Sequence, residues 1–172
     1  MTVLFETERL RLRRFTSADV GNVLQLTSDA EVMRYIGDGA TDDHEAAKNR
    51  LTRFMSHYEK YPGLGFWAVE QKPKNKFIGW LALKYIPKSV EVEIGYLFRK
   101  SAWGHGFATE GTRALLAYGF EDVGLNRIVA VANIDNKASQ NVMKKIGLRD
   151  CGVAHYYDRD VAYFAAERLA KA

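Results

Sequence analysis

The sequence predicts a mixed α/β fold, built on a largely antiparallel sheet that contains one parallel strand pair. Three strand-like runs, "GFWAVEQ", "FIGWLALKYI" and "VEVEIGYLF", are separated only by "KPKNK" and "PKS", which are short enough for antiparallel hairpins. A helical pattern and then the apolar run "NRIVAVANI" follow the third strand. A strand, a helix and a strand in that order place the two strands parallel, joined by a right-handed crossover.

Length and composition are typical of one soluble globular domain, which we expect to span residues 1–172. Hydrophobic residues make up 47% and charged residues 27% of the chain, which disfavours disorder, collagen and coiled coil. The net charge of +4 suits an anionic ligand better than a nucleic acid. A single cysteine, Cys151, excludes an internal disulfide, and neither a signal peptide nor a membrane-spanning run is evident. We therefore expect a cytoplasmic protein without a membrane partner.

The first part of the chain predicts one strand and three helical pieces. In "ERLRLRRF", leucines alternate with arginines, which indicates a half-buried strand with a basic outer face. Thr16 provides an N-cap for a short helix that ends near residues 26–27, and Asp29 caps a second short piece. After the loop "IGDGATDD", a longer helix is predicted over residues 42–58, before a Pro-Gly pair. We expect these pieces to line a ligand site.

The second part alternates strands with helices. Small and apolar residues recur at helical spacing over residues 108–118, and "NRIVAVANI" follows as a buried strand. The segment "NKASQNVMKKIG" predicts another helix, because its closing lysines and glycine are typical of a helix C-terminus. Two late strands, near residues 148–157 and 160–168, complete the predicted chain.

The stretch "SAWGHGFATEG" places Gly104 and Gly106 at the start of a predicted helix. The first N–H groups of a helix lack partners and lie at the positive end of its dipole, so they bind a phosphate where no side chain blocks the approach. A dinucleotide-binding loop would need a third glycine at Thr109, and a Walker loop would need Gly-Lys-Ser/Thr, so neither fold is predicted. A tight turn without a ligand is the alternative interpretation of these glycines.

The segments "VEVEIGYLF", "WGHGFATEG" and "NRIVAVANIDNKASQNVMKKIGL" resemble the GNAT superfamily of acetyl-CoA-dependent N-acetyltransferases, in particular its RimJ/RimL-like group. "TERLRLRRF" and "RDVAYFAAERL" are similar to that group's first and last strands, so the resemblance covers nearly the whole chain. It implies a twisted sheet whose parallel strands splay apart, and a glycine turn that holds the pyrophosphate of acetyl-CoA through backbone amides. Ser101 stands where the superfamily often has Gln or Arg, so Arg99 and Lys100 are candidates for the missing charge, unless they are solvated strand-end residues.

The resemblance assigns one set of residues to acetyl-CoA. They are Leu97, Phe98, Arg99, Gly104, His105, Gly106, Phe107, Ala108, Thr109 and Asn136.

Two carboxylates of "VEVEIGYLF", Glu91 and Glu93, share one face of their strand because side chains alternate along it. A carboxylate can attract an acceptor ammonium and remove its proton, and only the unprotonated amine can attack a thioester. The resemblance places this base at Glu93, directly before "IGY", and leaves the role of Glu91 open. It also implies that a backbone N–H near Leu97 binds the developing oxyanion.

A hydroxyl that protonates the departing thiolate is the second expected group. The pattern "N-x-x-S" of the RimL-like group corresponds to Asn136 and Ser139, which implies that Ser139 is the acid and that Asn136 contacts the pantetheine arm. Both residue types also favour a helix N-cap and first turn. Tyr156 and Tyr157 are the alternative acids, because many members of the superfamily use a tyrosine.

The hypothesis is direct transfer of the acetyl group from acetyl-CoA to a primary amine, with a protein or peptide N-terminus as the favoured acceptor. The alternatives are a small amine, such as an aminoglycoside or a polyamine, and a non-catalytic acyl-CoA-binding regulator. Asp38, Asp42 and Asp43 suit a cationic acceptor. No metal is expected, because the histidines show no ligand spacing, and no nucleic-acid partner is expected. The family resemblance suggests a homodimer.

Overall fold

The computed structural model describes residues 2–169, which form eight strands, five α-helices and two 3-10 turns. The strands are β1 (Val3–Glu6), β2 (Leu10–Arg14), β3 (Gly65–Gln71), β4 (Lys76–Tyr85), β5 (Val92–Phe98), β6 (Arg127–Asn133), β7 (Arg149–Tyr156) and β8 (Arg159–Glu167). The helices are α1 (Val20–Thr27), α2 (Ala30–Met33), α3 (His44–Lys60), α4 (Phe107–Glu121) and α5 (Lys137–Lys145). The 3-10 turns span Ser17–Asp19 and Lys100–Ala102. No helix in this described part has both the length and the apolar character that a membrane span requires.

All eight strands belong to one sheet, in the order β1-β2-β3-β4-β5-β6-β8-β7. Every neighbouring pair is antiparallel except β5 and β6, which are parallel. The predicted meander is β3, β4 and β5, and the predicted crossover runs from β5 through α4 to β6. The mixed α/β class with one parallel pair is therefore confirmed.

Strand β1 was not predicted. It has only four residues and pairs antiparallel with β2, where Phe5 lies opposite Leu12. A run this short is too brief to display a period of two, so its strand conformation depends on pairing with β2. The long helix also begins later than predicted, at His44, because the Asp43 carboxylate accepts a hydrogen bond from the Ala46 N–H at 2.8 Å and caps it.

The sheet has a hydrophobic core on each face. Leu81 and Leu83 of β4 point to the face covered by α4 and α5, whereas Trp80 and Ala82 point to the face covered by α1, α2 and α3. We call these the α4 face and the α3 face. Helix α4 lies close against its face because Gly111 has no side chain: a Cβ there would lie 2.7 Å from Leu81 Cδ1. This close approach sets how near the first half of α4 lies to β4.

The basic outer face predicted for β2 is wrong at Arg13. Its residue exposure is 4%, and its guanidinium lies 2.8 Å from the Asp19 carboxylate and 2.6 Å from that of Glu70. Both carboxylates are buried as well. A buried guanidinium is tolerated only where opposite charges and hydrogen bonds compensate for its lost hydration. The ion triad therefore joins β2, β3 and the turn before α1 within the core.

Candidate active site

A cleft of about 1010 Å³ passes through the sheet between β5 and β6. These strands are paired at a single position, Glu93 with Val129. Beyond this pair, residues 94–98 of β5 line one side of the cleft and residues 131–133 of β6 line the other. Residues of α4, α5 and α3 also line it, so the cleft connects the α4 face with the α3 face. It has the splayed parallel strands that the resemblance implied.

The glycine turn forms the wall of the cleft at the N-terminus of α4. Gly104 and Gly106 have φ angles of +75° and +78°, in the left-handed region that favours glycine, and Gly106 is the N-cap of α4. A Cβ built on Gly104 would meet nothing within 4 Å, so the backbone there is open to a ligand. Helix α4 has 15 residues, and its first N–H groups and dipole favour an anion at this end.

Most residues that the sequence assigned to acetyl-CoA line the cleft. They are Leu97, Phe98, Gly104, Gly106, Phe107, Ala108, Thr109 and Asn136. Arg99 and His105 do not line it. The Arg99 guanidinium lies over the Phe77 ring, 5.1 Å from its centroid, and the His105 ring packs beside Phe107 at 5.8 Å. Their assignment to acetyl-CoA stays a prediction.

Arg9 braces the outer side of the glycine turn. Its Nη1 donates to the His105 carbonyl at 2.9 Å, its Nε donates to Glu110 at 2.6 Å, and its guanidinium lies 4.6 Å from the centroid of the Phe107 ring. The Thr7 hydroxyl donates to the same Glu110 carboxylate at 2.6 Å. Sequence reasoning missed these contacts, because about 100 residues separate the two segments and neither carries a local signal of the other.

Glu93 lies on the α3 face of the cleft and is buried, with a residue exposure of 6%. Its carboxylate accepts hydrogen bonds from Lys84 Nζ and from the Tyr157 hydroxyl. Lys84 stands directly opposite Glu93 in the pairing of β4 with β5. The alternative placement of Glu93 on a solvated strand face is therefore wrong.

Glu91 lies outside the cleft. It precedes β5, and its carboxylate lies 3.3 Å from Arg127 Nε and accepts a hydrogen bond from the Tyr163 hydroxyl. Of the two carboxylates predicted to share a face, only Glu93 lines the cleft.

Tyr157 lies in the turn between β7 and β8 and lines the cleft. Both Tyr157 and Asp158 have a φ of +57°, which non-glycine residues adopt rarely. Burial raises the pKa of Tyr157, and the negative charge of Glu93 and the hydrogen bond to it raise that pKa further. Tyr157 is therefore a neutral phenol that donates to Glu93. Tyr156 does not line the cleft, and its ring stacks on Tyr163 at 5.8 Å.

Ser139 lies in the first turn of α5 and faces the cleft from the α4 side. The Asn136 side chain caps this helix by accepting from the Ser139 N–H at 3.1 Å. The Tyr96 hydroxyl donates to Ser139 Oγ, also at 3.1 Å. Burial raises the pKa of Tyr96, so this phenol stays protonated. Sequence reasoning missed Tyr96 as a partner of Ser139, although both belong to segments that it singled out.

The acidic residues that were expected to face a cationic acceptor have other roles. Asp42 pairs with Arg50 at 2.6 Å, which holds the pKa of that carboxyl below its usual range. Asp43 caps α3, and Asp38 accepts from the Ala40 N–H at 3.0 Å. None of the three lines the cleft. In residues 2–169 no group of His, Cys, Asp or Glu is arranged to hold a metal ion.

The comparisons with known proteins identify the family. Residues 9–149 match the family described as acetyltransferase (GNAT) domain. The uncharacterized N-acetyltransferase YoaA of Bacillus subtilis (strain 168) is 33% identical over 158 residues, which cover 91% of this chain and 89% of YoaA. A GNAT-family acetyltransferase from Bacillus anthracis has a TM-score of 0.82 at 28% identity, covering 98% of this chain and 99% of that one.

The RimL ribosomal L7/L12 α-N-protein acetyltransferase, solved in complex with coenzyme A, has the same fold, with a TM-score of 0.81 at 18% identity, covering 96% of this chain and 97% of that one. Together with the family match, the cleft through the sheet and the open glycine turn lead to one conclusion. This chain belongs to the GNAT family and is an acetyl-CoA-dependent N-acetyltransferase.

Proposed function

We propose that this protein, acting as one domain over residues 1–172, transfers the acetyl group of acetyl-CoA directly to the α-amine of a protein or peptide. The observation that carries the proposal is the cleft through the sheet. It brings the buried carboxylate of Glu93, on the α3 face, into one continuous space with the glycine turn and Ser139 on the α4 face. An acceptor can thus approach from one face while the cofactor binds from the other.

The residues present fit acetyl-CoA. The left-handed turn at Gly104 and Gly106 leaves the backbone open beside the N-terminus of α4, where N–H groups can bind a pyrophosphate. Asn136 lines the cleft beyond this turn, where the pantetheine arm would pass. Arg9 supports the turn from behind through the His105 carbonyl. When bound, acetyl-CoA supplies an acetyl group activated as a thioester.

Glu93 is proposed to be the base. Both donors, Lys84 and Tyr157, bind its Oε1, and Oε2 accepts no hydrogen bond from residues 2–169. We assign Oε2 to the acceptor ammonium, from which it takes a proton directly or through water. The freed nitrogen lone pair attacks the acetyl carbonyl carbon, the new C–N bond forms, and the C–S bond breaks. A backbone N–H near Leu97 binds the oxyanion that develops on the carbonyl oxygen.

Ser139 is proposed to be the acid. Because its Oγ accepts the hydrogen bond from Tyr96, its own hydroxyl hydrogen is free to turn toward the sulfur of the leaving thiolate. The raised pKa of Tyr96 keeps that phenol protonated, so it orients Ser139 rather than ionising. The proton moves from Ser139 to sulfur, and the second proton of the acylated nitrogen passes, directly or through water, to the serine oxygen and restores its hydroxyl. Tyr96 is thus a positioning residue for Ser139.

A thiol-release assay with acetyl-CoA tests the function. The acceptors are N-terminal peptides and, as the alternative class, small amines such as polyamines and aminoglycosides. We expect turnover on peptides, and loss of that turnover in Glu93→Gln. Faster turnover on the small amines than on the peptides would identify a small molecule, rather than a peptide, as the acceptor. Binding of CoA without turnover on any amine would instead favour a non-catalytic regulator.

Two further expectations stay predictions. The family resemblance suggests a homodimer, which analytical ultracentrifugation would measure. The cytoplasmic location that we expect for this protein would be tested by cell fractionation.

A further inference from the structure

Aromatic and basic side chains line the acceptor side of the cleft, which is its α3 face. Helix α3 presents Arg50, Arg53, Phe54 and His57 to the cleft, at the spacing of one helical stripe. The Phe54 ring stacks on Phe66 at 4.0 Å between centroids, so this part of the wall is a packed surface.

More positive than negative side chains line the cleft. Its cationic side chains are Arg34, Arg50, Arg53, Lys84, Lys145 and Arg159, and its carboxylates are Glu31 and Glu93. Each carboxylate already has a cation at salt-bridge distance, Lys100 for Glu31 and Lys84 for Glu93.

Three of the arginines lack an ion-pair partner. Arg50 is neutralised by Asp42, whereas Arg34, Arg53 and Arg159 form no salt bridge with a carboxylate of residues 2–169. Together with Lys145, which also forms no such bridge, these arginines make the unbalanced charge that a bound ligand meets positive.

Two of these unpaired arginines lie on the side of Glu93. Arg53 projects from α3, which covers the same face of the sheet as Glu93. Arg159 begins β8 and follows Tyr157 by two residues, and the Tyr157 hydroxyl contacts Glu93. The cleft on this side thus carries positive charge that the single negative charge of Glu93, already paired with Lys84, does not balance.

We propose that the acceptor amine belongs to a molecule that also carries a carboxylate close to the amine, as in a peptide whose first residues are acidic. This inference rests on the proposed function and names the substrate class of the same site. The ammonium binds at Glu93, and Arg53 and Arg159 bind the carboxylate, for which the planar guanidinium gives paired hydrogen bonds. Acceptors with additional positive charges, such as polyamines and aminoglycosides, are repelled by the unpaired arginines.

Matched acceptors test the charge preference. Three tetrapeptide amides would share an N-terminal alanine and carry Glu, Gln or Lys at the second and third positions. We expect kcat/KM to fall in the order Glu, Gln, Lys, with about tenfold or more between Glu and Lys. Free alanine and alanine amide form a parallel arm: a preference for free alanine, which has a carboxylate beside its amine, would indicate a small carboxylate-bearing amine rather than an acidic peptide. An equal or reversed order in both arms would overturn the inference.

Variants of the two arginines test their role. In Arg53→Met and Arg159→Met, the preference for Glu over Lys should fall toward unity while KM for acetyl-CoA stays unchanged. Arg149→Met is the matched control, because Arg149 is exposed on β7 and does not line the cleft, and it should keep the full preference. An increase in KM for acetyl-CoA without a change in acceptor preference would overturn the assignment, because the arginines would then serve the cofactor phosphates.

Calorimetry separates this inference from the proposed function. The same peptides would be titrated into the protein saturated with CoA, where no acetyl transfer is needed. Tighter binding of the Glu peptide than of the Lys peptide would support the charge preference. If no peptide were acetylated in spite of this binding, only the proposed function would be overturned. Equal affinity of all three peptides would overturn the charge preference, even if all of them are acetylated.

Discussion

The Tyr96 hydroxyl donates a hydrogen bond to Ser139 Oγ at 3.1 Å, although the two residues lie 43 positions apart. Tyr96 belongs to β5 and Ser139 to the first turn of α5, so this bond crosses the α4 side of the cleft. It gives Ser139 an orientation in which its own hydrogen is free for a ligand. An isolated serine would rotate among several rotamers instead.

The first prediction concerns this pair. Ser139→Ala should lower the single-turnover rate by about 10²-fold, and Tyr96→Phe by about tenfold, because losing the orienting bond costs less than losing the acid. The double variant should be no slower than Ser139→Ala, since Tyr96 acts through Ser139. The Ser139→Ala defect should shrink when an acetyl thioester with a better leaving thiol replaces acetyl-CoA. Fully additive losses would contradict the link between the two residues.

Glu93 provides the second prediction. Glu93→Gln should keep the affinity for acetyl-CoA but lower kcat/KM at neutral pH by about 10²-fold, because the amide cannot take a proton from the acceptor ammonium. Activity should recover as pH rises and free amine accumulates. Glu91→Gln is the control: Arg127 and Tyr163 hold Glu91 outside the cleft, so this variant should keep its activity. Full activity of Glu93→Gln across the pH range would disprove the assignment.

The third prediction uses two glycines with the same backbone conformation. Gly104 and Gly124 have φ angles of +75° and +79°, and a Cβ at either would meet nothing within 4 Å. Alanine at either position should therefore introduce the same backbone strain and lower the free energy of unfolding by about 1–2 kcal/mol. Only Gly104 lines the cleft, so Gly104→Ala should raise the Kd for acetyl-CoA by about tenfold or more, a loss of about 1.4 kcal/mol.

Isothermal titration calorimetry and urea unfolding measure the two effects separately. Equal changes in cofactor affinity for Gly104→Ala and Gly124→Ala would remove the glycine turn from the binding site.

The fourth prediction concerns the pH dependence of stability. Burial opposes ionisation of Asp19, but the hydrogen bonds from Arg13, Thr16 and Asn22 outweigh it and keep the pKa of this carboxyl below its usual value of 3.8. The stabilisation by ionised Asp19 is thus fully present above the pKa of the unfolded chain and is lost as pH falls through the lower pKa of the folded state.

Asp19→Asn should lower the free energy of unfolding by about 3 kcal/mol at neutral pH, because it removes one partner of a buried ion pair. The difference from the parent protein should shrink as pH falls below 3.8, the usual pKa of this carboxyl. Asp160→Asn, whose partner is the exposed His155, is the control and should change stability little. A difference that is constant over this pH range would show that ionised Asp19 does not contribute as described.

Several features could be predicted from the sequence because they depend on local pattern. The period of two in "VEVEIGYLF" sends Val92, Ile94 and Phe98 into one core and Leu97 into the other, and Gly104 and Gly106 occupy left-handed positions before α4. The strand, helix and strand that follow each other there required a parallel pair. The sequence also singled out Glu93 as a candidate base and Ser139 as a candidate acid, although these roles stay predictions.

The tertiary structure alone decided which distant side chains meet. It buried Arg13 between Asp19 and Glu70, placed Arg9 behind the glycine turn, and brought Tyr157 onto Glu93. Except for Arg13 and Asp19, which lie six residues apart, these pairs join segments separated by tens of residues, and their formation depends on how the chain packs around its two cores. Hydrophobic period and capping report which side of an element is buried and where it ends, but they carry no information about the partner that another part of the chain will supply.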